Sequence, residues 1–418
     1  MKASGLLRAG WNLVDQVISS ATNALLAFLI ARSVSDSDFG GFSVAFTIFS
    51  VFIGLSRAVA ASPLGIRFTR SDTAEFRRAA AAGVGAALAF GVLGGVACLV
   101  VGGALGGPVG MALLALGVVL PGLLVQDAWR IVFFAEARPK AAVVNDGVWA
   151  ILQIGAVFAL VARGVDTVGP LTLAWGLSAC AAAALGVRQS RVLPRPSQAL
   201  TWVRTHRDLT GYLLLEYVTL QGAQQLAMLS IATIGSLSVI GALRGAQVLL
   251  GPTTILAVGM YSFALPEFSR RRDTLTSREW MGGAVALSVF VTGLGALWGA
   301  IFLFLPDAFG KELLGETWPA TKAVLVASIV QQAGAAIAIG PATMLYAMDR
   351  AKVTLTIHAV LAPMLLAGGV VGVVVGGADG AAWGFAVAFW SVVPAWWIKV
   401  RREVKALAAR NRPVDAVD

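Results

Sequence analysis

Residues 32–70, RSVSDSDFGGFSVAFTIFSVFIGLSRAVAASPLGIRFTR, decide the fold class of this 418-residue chain. Their central apolar run exceeds the length of about 20 residues that a helix needs to cross a bilayer. Arg32 lies on one side of the run, and Arg67 and Arg70 lie on the other. Units of this kind recur along the chain, which is 58% hydrophobic and 13% charged and has a mean hydropathy of +0.80. The composition predicts an all-α integral membrane protein without a soluble domain.

Twelve apolar runs are long enough to be transmembrane helices. They cover residues 9–31, 39–64, 79–105, 110–135, 141–162, 167–187, 210–233, 238–265, 281–305, 319–347, 353–376 and 380–398. The longest gap, between the sixth and seventh runs, contains Pro194 and Pro196 and is typical of a linker. We therefore expect two pseudo-symmetric six-helix lobes at residues 1–190 and 210–400, a basic linker at 191–209 and a basic tail at 401–418.

The positive charges predict the orientation of these helices. Of the 32 Lys and Arg residues, 25 fall in alternate gaps or at the termini on one side, four fall on the opposite side and three lie within spans. Cation-rich short loops remain in the cytoplasm. We therefore expect a multi-pass protein of the plasma or inner membrane with both termini in the cytoplasm. The net charge of +10 is expected to face anionic lipid headgroups, so membrane lipids are predicted partners and nucleic acid is not.

A weak internal repeat supports the division into two halves. A shift of 201 residues superimposes Gly10 on Gly211, Asp15 on Glu216, Ser35 on Ser236, Gly40 on Gly241 and Arg70 on Arg271. A shift of 212 superimposes Ala135, Arg138 and Lys140 on Ala347, Arg350 and Lys352. Parallel repeats are typical of transporters whose substrate site lies between the halves.

Polar residues form stripes on the first, second, seventh and eighth spans, because their spacing of three or four places them on one helix face. Such a face is expected to line a cavity between the halves. The predicted substrate-binding residues are Arg57, Arg244, Asn12, Gln16, Asn23, Gln221, Gln224 and Gln247. Asp15 and Glu216, at equivalent repeat positions, are candidates for binding a coupling ion.

The charges within spans allow structural as well as functional interpretations. Arg57 could pair with Asp15 or bind a ligand, and Asp127 is expected to pair with Arg130 three residues along the same helix. Arg244 has no acidic residue on its own predicted helix. Because intramembrane cations commonly mark anion pathways, a functional role is favoured for Arg244.

Several kinds of chemistry are not predicted. The sequence contains no Gly-x-x-x-x-Gly-Lys-Ser/Thr motif for nucleotide binding. Its two histidines and two cysteines do not form a pattern typical of a metal site. We therefore expect neither an enzyme nor a bound cofactor or metal.

The segment from Gly10 to Arg70 resembles polysaccharide-export flippases of the multidrug, oligosaccharidyl-lipid and polysaccharide exporter superfamily. The matching motifs are Trp11-Asn12-Leu13, Asp38-Phe39-Gly40-Gly41-Phe42 and Gly54-Leu55-Ser56-Arg57-Ala58. The resemblance implies that a polyprenyl-pyrophosphate-linked oligosaccharide crosses the cytoplasmic membrane by alternating access, with Arg57 and Arg244 holding the pyrophosphate. Glycosyltransferases or a polymerase of the same polysaccharide pathway would be partners.

Two other functions are compatible with the sequence. The acids at positions 15 and 216 resemble those of the multidrug branch, which indicates a cation-coupled multidrug exporter as the alternative. An integral membrane scaffold for a polysaccharide synthase complex is a third hypothesis. The branch that flips the peptidoglycan precursor is disfavoured, because it typically has fourteen helices and an arginine in the first, where this chain has Asp15 and Gln16.

Reporter fusions test the predicted topology. Reporters placed after Arg32, Arg163 or Lys311 should be external, and those placed after Arg78, Arg207 or Arg272 should be cytoplasmic, because cation-rich loops are retained inside. Activity of a periplasmic reporter compared with that of a cytoplasmic reporter at each site measures the side. An external reporter after Arg207 would contradict the division into two six-helix halves.

Overall fold

The structure, a computed structural model, describes residues 18–19, 21–68, 71–271 and 274–410. The helices are α1 (Ala21–Ala31), α2 (Asp36–Arg67), α3 (Thr73–Leu105), α4 (Gly107–Ala135), α5 (Pro139–Val161) and α6 (Val168–Ser190). They continue with α7, formed by the consecutive segments Arg207–Tyr217, Val218–Gly222 and Ala223–Ile234, and with α8 (Leu237–Arg270) and α9 (Ser277–Leu303). The last are α10, formed by Trp318–Ile337 and Ile339–Ala347, and α11 (Ala351–Arg410). Short helices cover Ala199–Thr205 and Asp307–Leu314.

The predicted all-α membrane architecture is confirmed. Nine helices among the described residues are long and apolar enough to span a bilayer, and Ala21–Ala31 and Ala223–Ile234 are shorter apolar helices. Large apolar side chains cover the outside of the molecule, as shown by the exposed fractions of Leu93 (71%), Ile151 (75%) and Phe158 (61%). Side chains of this kind are expected to contact lipid. The count of twelve crossings remains a prediction.

Helix α11 consists of two arms. Gly376 and Gly377 have non-helical backbone angles, and Gly377 has φ +59°. The arms fold back on each other, since a Cβ at Gly372 would overlap the carbonyl oxygen of Gly380 on the opposite arm. Glycine is needed at the break for its positive φ and at the crossing for close approach. The helical second arm continues through residues 401–410 of the predicted tail.

Polar side chains define where several helices begin. The side chain of Ser35 accepts a hydrogen bond from the Asp38 backbone N at 3.2 Å, and Asp72 accepts from the backbone N of Ala74 at 2.9 Å. At the start of α9, Thr276 and Glu279 cap each other reciprocally. Such caps satisfy backbone donors that have no partner within the helix.

The internal repeat includes a turn whose backbone geometry is the same in both halves. Ala137 and Asp349, which the shift of 212 superimposes, have φ values of 58° and 63°. The backbone N of the following arginine donates to a carbonyl five residues earlier in both turns, from Arg138 to Phe133 and from Arg350 to Leu345, each at 2.8 Å. The two halves therefore contain the same turn at equivalent positions.

Helices of each half pack mainly among themselves. In the N-terminal half, α4 contacts α2, α3 and α6, and α6 also contacts α5. In the C-terminal half, α10 contacts α8, α9 and α11, and α11 also contacts α7. The halves meet chiefly where α2 packs against α7 and α8. A cavity bordered by α2 and by α7 or α8 therefore lies at the interface between the two halves.

The contact between the halves extends along α2. At its Asp36 end, Gly40 lies so close to Leu237 of α8 that a Cβ would overlap the Leu237 carbonyl. Farther along, the Tyr217 hydroxyl donates to the Ser50 carbonyl at 2.9 Å. At the opposite end of α2, the Arg67 guanidinium forms an ion pair with the Asp208 carboxylate and donates a hydrogen bond to it. This hydrogen bond lowers the pKa of the Asp208 carboxyl below its usual range.

The predicted linker lies against the N-terminal half. The Arg195 backbone N donates to the Ala81 carbonyl of α3 at 2.8 Å. Trp202 is buried, and its Nε1 donates to the Val59 carbonyl of α2 at 3.3 Å. The linker is thus a packed connection that includes the short helix Ala199–Thr205.

Candidate functional site

A cavity of about 370 Å³ lies between α1, α2 and α8. Asn23 from α1, Phe46 from α2 and Arg244 and Gln247 from α8 line it. The N-terminal half supplies the first two residues and the C-terminal half supplies the others. The cavity therefore lies at the interface between the halves and brings together Asn23, Arg244 and Gln247, three of the predicted site residues.

Arg244 has no carboxylate partner among the described side chains. Its Nη1 donates to Gln247 Oε1 at 3.3 Å, and its Cζ lies 3.9 Å from the centroid of the Phe46 ring. Its Nε is buried without a hydrogen-bond partner. An amide and an aromatic ring attract the guanidinium, but neither carries a formal negative charge. The cavity therefore contains a cation with an unused donor.

The aromatic surface beneath Arg244 is held in place by the N-terminal half. The Phe46 ring stacks on Trp175 of α6 with 5.8 Å between centroids, and Phe49 contacts Trp175 edge to face at 5.0 Å. Trp175 is fully buried. Phe46 therefore has a fixed position, and the contact from Arg244 connects α8 to the core of the other half.

Arg57 has a different environment. Its Nε and Nη2 donate to the two carboxylate oxygens of Asp127 on α4, at 2.8 and 2.5 Å. The Arg57 side chain is nevertheless 42% exposed, and it begins the π-helical segment Arg57–Ala61 of α2. Single π-helical turns occur frequently at functional sites. Arg57 is thus neutralised by a partner in its own half while part of its side chain remains accessible.

The predicted ion pair between Asp127 and Arg130 is wrong, because both carboxylate oxygens of Asp127 contact another arginine. Both of them bind Arg57, and the Arg130 Nε lies 3.3 Å from Asp146 Oδ2 on α5. Gln126 Nε2 also donates to Asp146 Oδ1 at 2.7 Å. The sequence spacing favoured a pair within one helix, but packing brought acids from other helices nearer to both arginines.

A second cavity, of about 420 Å³, lies within the C-terminal half between α7, α8, α10 and the second arm of α11. Its lining includes the glutamine side chains at positions 224, 225, 247, 331 and 332. Gln224 and Gln247 were predicted site residues, whereas Gln331 and Gln332 were not. The only signal for the latter two was a pair of adjacent amides within an otherwise apolar span.

The remaining predicted residues do not join these cavities or lie outside the described part of the chain. Gln221 is exposed and belongs to the π-helical segment Val218–Gly222 of α7. Asn12, Asp15 and Gln16 lie outside the described residues, as does the side chain of Glu216. The proposed pairing of Arg57 with Asp15 therefore stays untested, although Asp127 already holds the Arg57 guanidinium.

Comparisons with known proteins place the fold. No family model and no curated protein sequence matches the chain. A multidrug resistance MATE family transporter of the MOP superfamily, solved in an inward-facing conformation, is similar with a TM-score of 0.71 and 14% identity over 96% of each chain. The lipid II flippase MurJ, in an inward closed conformation, is similar with a TM-score of 0.67 and 12% identity over 97% of this chain and 90% of that chain.

The conformation can be compared in the same way. An outward-facing MATE family transporter has a TM-score of 0.54 and 12% identity over 97% of this chain and 99% of that chain. The TM-score is thus higher for the inward-facing structure than for the outward-facing one. Identities this low establish a shared fold, and the function has to be argued from the site.

A double-mutant cycle tests the pairing of Arg57. Asp127→Asn leaves the Arg57 charge without its partner, so it should lower the unfolding temperature more than the combined Asp127→Asn and Arg57→Gln replacement does. The measurement is thermal unfolding of the purified protein in detergent. The exposed Arg67–Asp208 pair is the matched control, because exposed pairs contribute about 0–1 kcal/mol.

A single variant that is as stable as the double variant would show that Asp127 does not stabilise the Arg57 charge. Arg57 would then be available to a ligand without competition from its own half.

Proposed function

We propose that this protein is a transporter that moves a polyprenyl-pyrophosphate-linked oligosaccharide across the cytoplasmic membrane by alternating access. The observation that carries the proposal is the environment of Arg244, a cation in the cavity between the halves with a buried, unpartnered Nε. Burying a charge is costly unless it is paired. An anionic ligand would remove that cost.

The chemistry of Arg244 fits a pyrophosphate. A guanidinium presents donors in a planar fork that suits phosphate oxygens, and these charge-assisted hydrogen bonds are stronger than neutral ones. Asn23 and Gln247 in the same cavity offer amide donors for the remaining oxygens. The polyprenyl chain would stay in the bilayer, where its apolar surface needs no site.

The two halves provide the elements for alternating access. We propose that the described helices correspond to twelve crossings in two six-helix lobes, with both termini in the cytoplasm and residues 191–209 as the connection. The similarity to an inward-facing transporter supports a conformation in which the site is reached from the cytoplasm. Movement of α2 relative to α7 and α8, the chief contact between the halves, would then change access.

The other predicted residues receive secondary roles in this proposal. Arg57 would bind the pyrophosphate after Asp127 releases part of its guanidinium, because its side chain is already 42% exposed. Asn12, Gln16, Gln221 and Gln224 would bind sugar hydroxyls. Asp15 and Glu216 would bind a coupling ion.

A cation-coupled multidrug exporter is the second candidate, and the fold of the similar MATE transporters supports it. Such a protein needs negative charge where its cationic substrate binds. Neither cavity has a carboxylate in its described lining, and one of them contains Arg244. The presence of Arg244 in the interface cavity favours an anionic substrate over a cationic drug. A scaffold for a polysaccharide synthase, the third hypothesis, would transport neither the lipid-linked oligosaccharide nor a cationic drug.

Transport by Arg244 variants tests the proposal. In liposomes containing purified protein, Arg244→Gln should slow movement of the lipid-linked oligosaccharide about 10- to 100-fold, because charge-assisted hydrogen bonds contribute about 1.5–3 kcal/mol. Arg244→Lys should also be slower, since it retains the charge but lacks the fork. Arg163→Gln, in an exposed loop, is the matched control and should be normal.

Two results would contradict this assignment. Normal transport by Arg244→Gln would remove Arg244 from the substrate site. Movement of a cationic dye by the native protein, without movement of the oligosaccharide, would establish the multidrug alternative.

Replacement of the two acids tests ion coupling. Because the sequence has no nucleotide-binding motif, transport would draw on an ion gradient or on the gradient of the lipid itself. We propose that an ion gradient acts through Asp15 and Glu216. Asp15→Asn or Glu216→Gln should slow transport driven by an imposed gradient while membrane abundance stays normal. Asp166→Asn, in an exposed loop, is the control. This coupling mechanism would be ruled out if both acid variants transported at the native rate and if collapsing the ion gradient did not change that rate.

A further inference from the structure

The glutamine cavity within the C-terminal half has an unusual lining for a membrane interior. Gln331 and Gln332 lie 13 and 14 residues after Trp318, where α10 begins, or about 20 Å along the helix at 1.5 Å per residue. This position is near the middle of the span that continues to Ala347. An amide at such depth is costly unless it has a polar partner.

Most of these amides have no partner within the described protein. The side chains of Gln224, Gln225, Gln331 and Gln332 make no hydrogen bond to another described residue, whereas Gln247 accepts from Arg244 at 3.3 Å. Each glutamine amide offers two donor hydrogens and an acceptor oxygen. The cavity therefore concentrates unused donors and acceptors without a formal charge.

The rest of the lining indicates what chemistry these amides would recognise. Ser328 and Thr254 add hydroxyl groups, and Phe385 and Phe389 add apolar ring surface on one wall. None of the described residues in the lining is acidic or basic. Hard cations prefer carboxylate ligands, and an anion would need an arginine or a lysine. An uncharged ligand with many hydroxyl groups and an apolar face suits this combination.

The cavity adjoins the one that contains Arg244. Gln247 and Thr254 on α8 belong to the lining of both. A ligand whose charged group contacts Arg244 could therefore place the neighbouring part of the molecule among the glutamines. The volume of about 420 Å³ is within the range of about 300–1,000 Å³ found for small-molecule sites.

We propose that the glutamine cavity binds an uncharged sugar of the lipid-linked glycan, next to the pyrophosphate held at Arg244. This inference rests on the proposed function and makes it more specific. The sugar attached nearest to the pyrophosphate is a neutral hydroxylated sugar, and the C-terminal half selects it. A charged sugar at this position has no counter-ion among the described lining residues and is transported more slowly.

Two substrates and two variants test the site in proteoliposomes. One substrate is polyprenyl pyrophosphate carrying a short neutral glycan, and the other is the same carrier without sugar. The combined Gln331→Met and Gln332→Met replacement nearly keeps side-chain volume and removes two amides. It should lower kcat/KM for the glycan substrate about tenfold and leave the sugar-free carrier unchanged. Gln198→Met, exposed in the linker, is the matched control and should affect neither substrate.

The outcomes separate this inference from the proposed function. Arg244→Gln should slow both substrates, because both contain the pyrophosphate. If the native protein moves both and the glutamine variant slows them equally, or slows neither, the glycan site is wrong while the transport function stands. If the native protein moves neither substrate, the proposed function and the site are both wrong. Membrane abundance and unfolding temperature, measured in parallel, identify loss through misfolding.

A third substrate tests the selectivity. A glycan whose first sugar carries a carboxylate should be transported several-fold more slowly than its neutral counterpart by the native protein. Equal rates for the two glycans in the native protein would overturn the inference that the lining selects an uncharged sugar.

Discussion

The contact of Arg244 with the Phe46 ring is the interaction on which the functional interpretation depends. It joins α8 of one half to the aromatic core of the other. Arg244 lies about 10 Å from the start of α8, so its insertion costs less than the roughly 2.5–3.5 kcal/mol of an arginine at the centre of a span. A desolvated cation–π contact returns about 2 kcal/mol or more. The ring stabilises the cation without neutralising it. The cavity between the halves therefore retains a positive field for an anionic ligand.

The two intramembrane arginines at the interface are not symmetric. The repeat that relates the halves superimposes Arg244 on Ser43, whose hydroxyl donates to the Phe39 carbonyl at 2.7 Å. Arg57 in turn corresponds to Val258. Arg57 is neutralised by Asp127 within its own half, whereas Arg244 has no such partner among the described side chains. The backbone turns at Ala137 and Asp349 match, but the charges of the site do not.

Much of the fold follows from the sequence, because a long apolar run in a membrane has few alternatives to a helix. The positions of Asn23, Arg244 and Gln247 in one cavity also followed from their helical spacing. The partner of Arg57 did not, since spacing describes one helix, and Asp127 reaches Arg57 through the packing of α4 against α2. The position of Gln331 and Gln332 in the lining of a cavity was missed for the same reason. Only the tertiary arrangement places them beside glutamines from α7 and α8.

Equilibrium binding tests the central claim most directly, because it isolates anion recognition from coupling and from movement of the halves. Purified protein in detergent is titrated with polyprenyl pyrophosphate and, in parallel, with the uncharged polyprenol. The account predicts saturable binding of the pyrophosphate that Arg244→Gln weakens at least about tenfold, with no change for polyprenol. Equal affinity of the native protein and Arg244→Gln for the pyrophosphate would contradict the account.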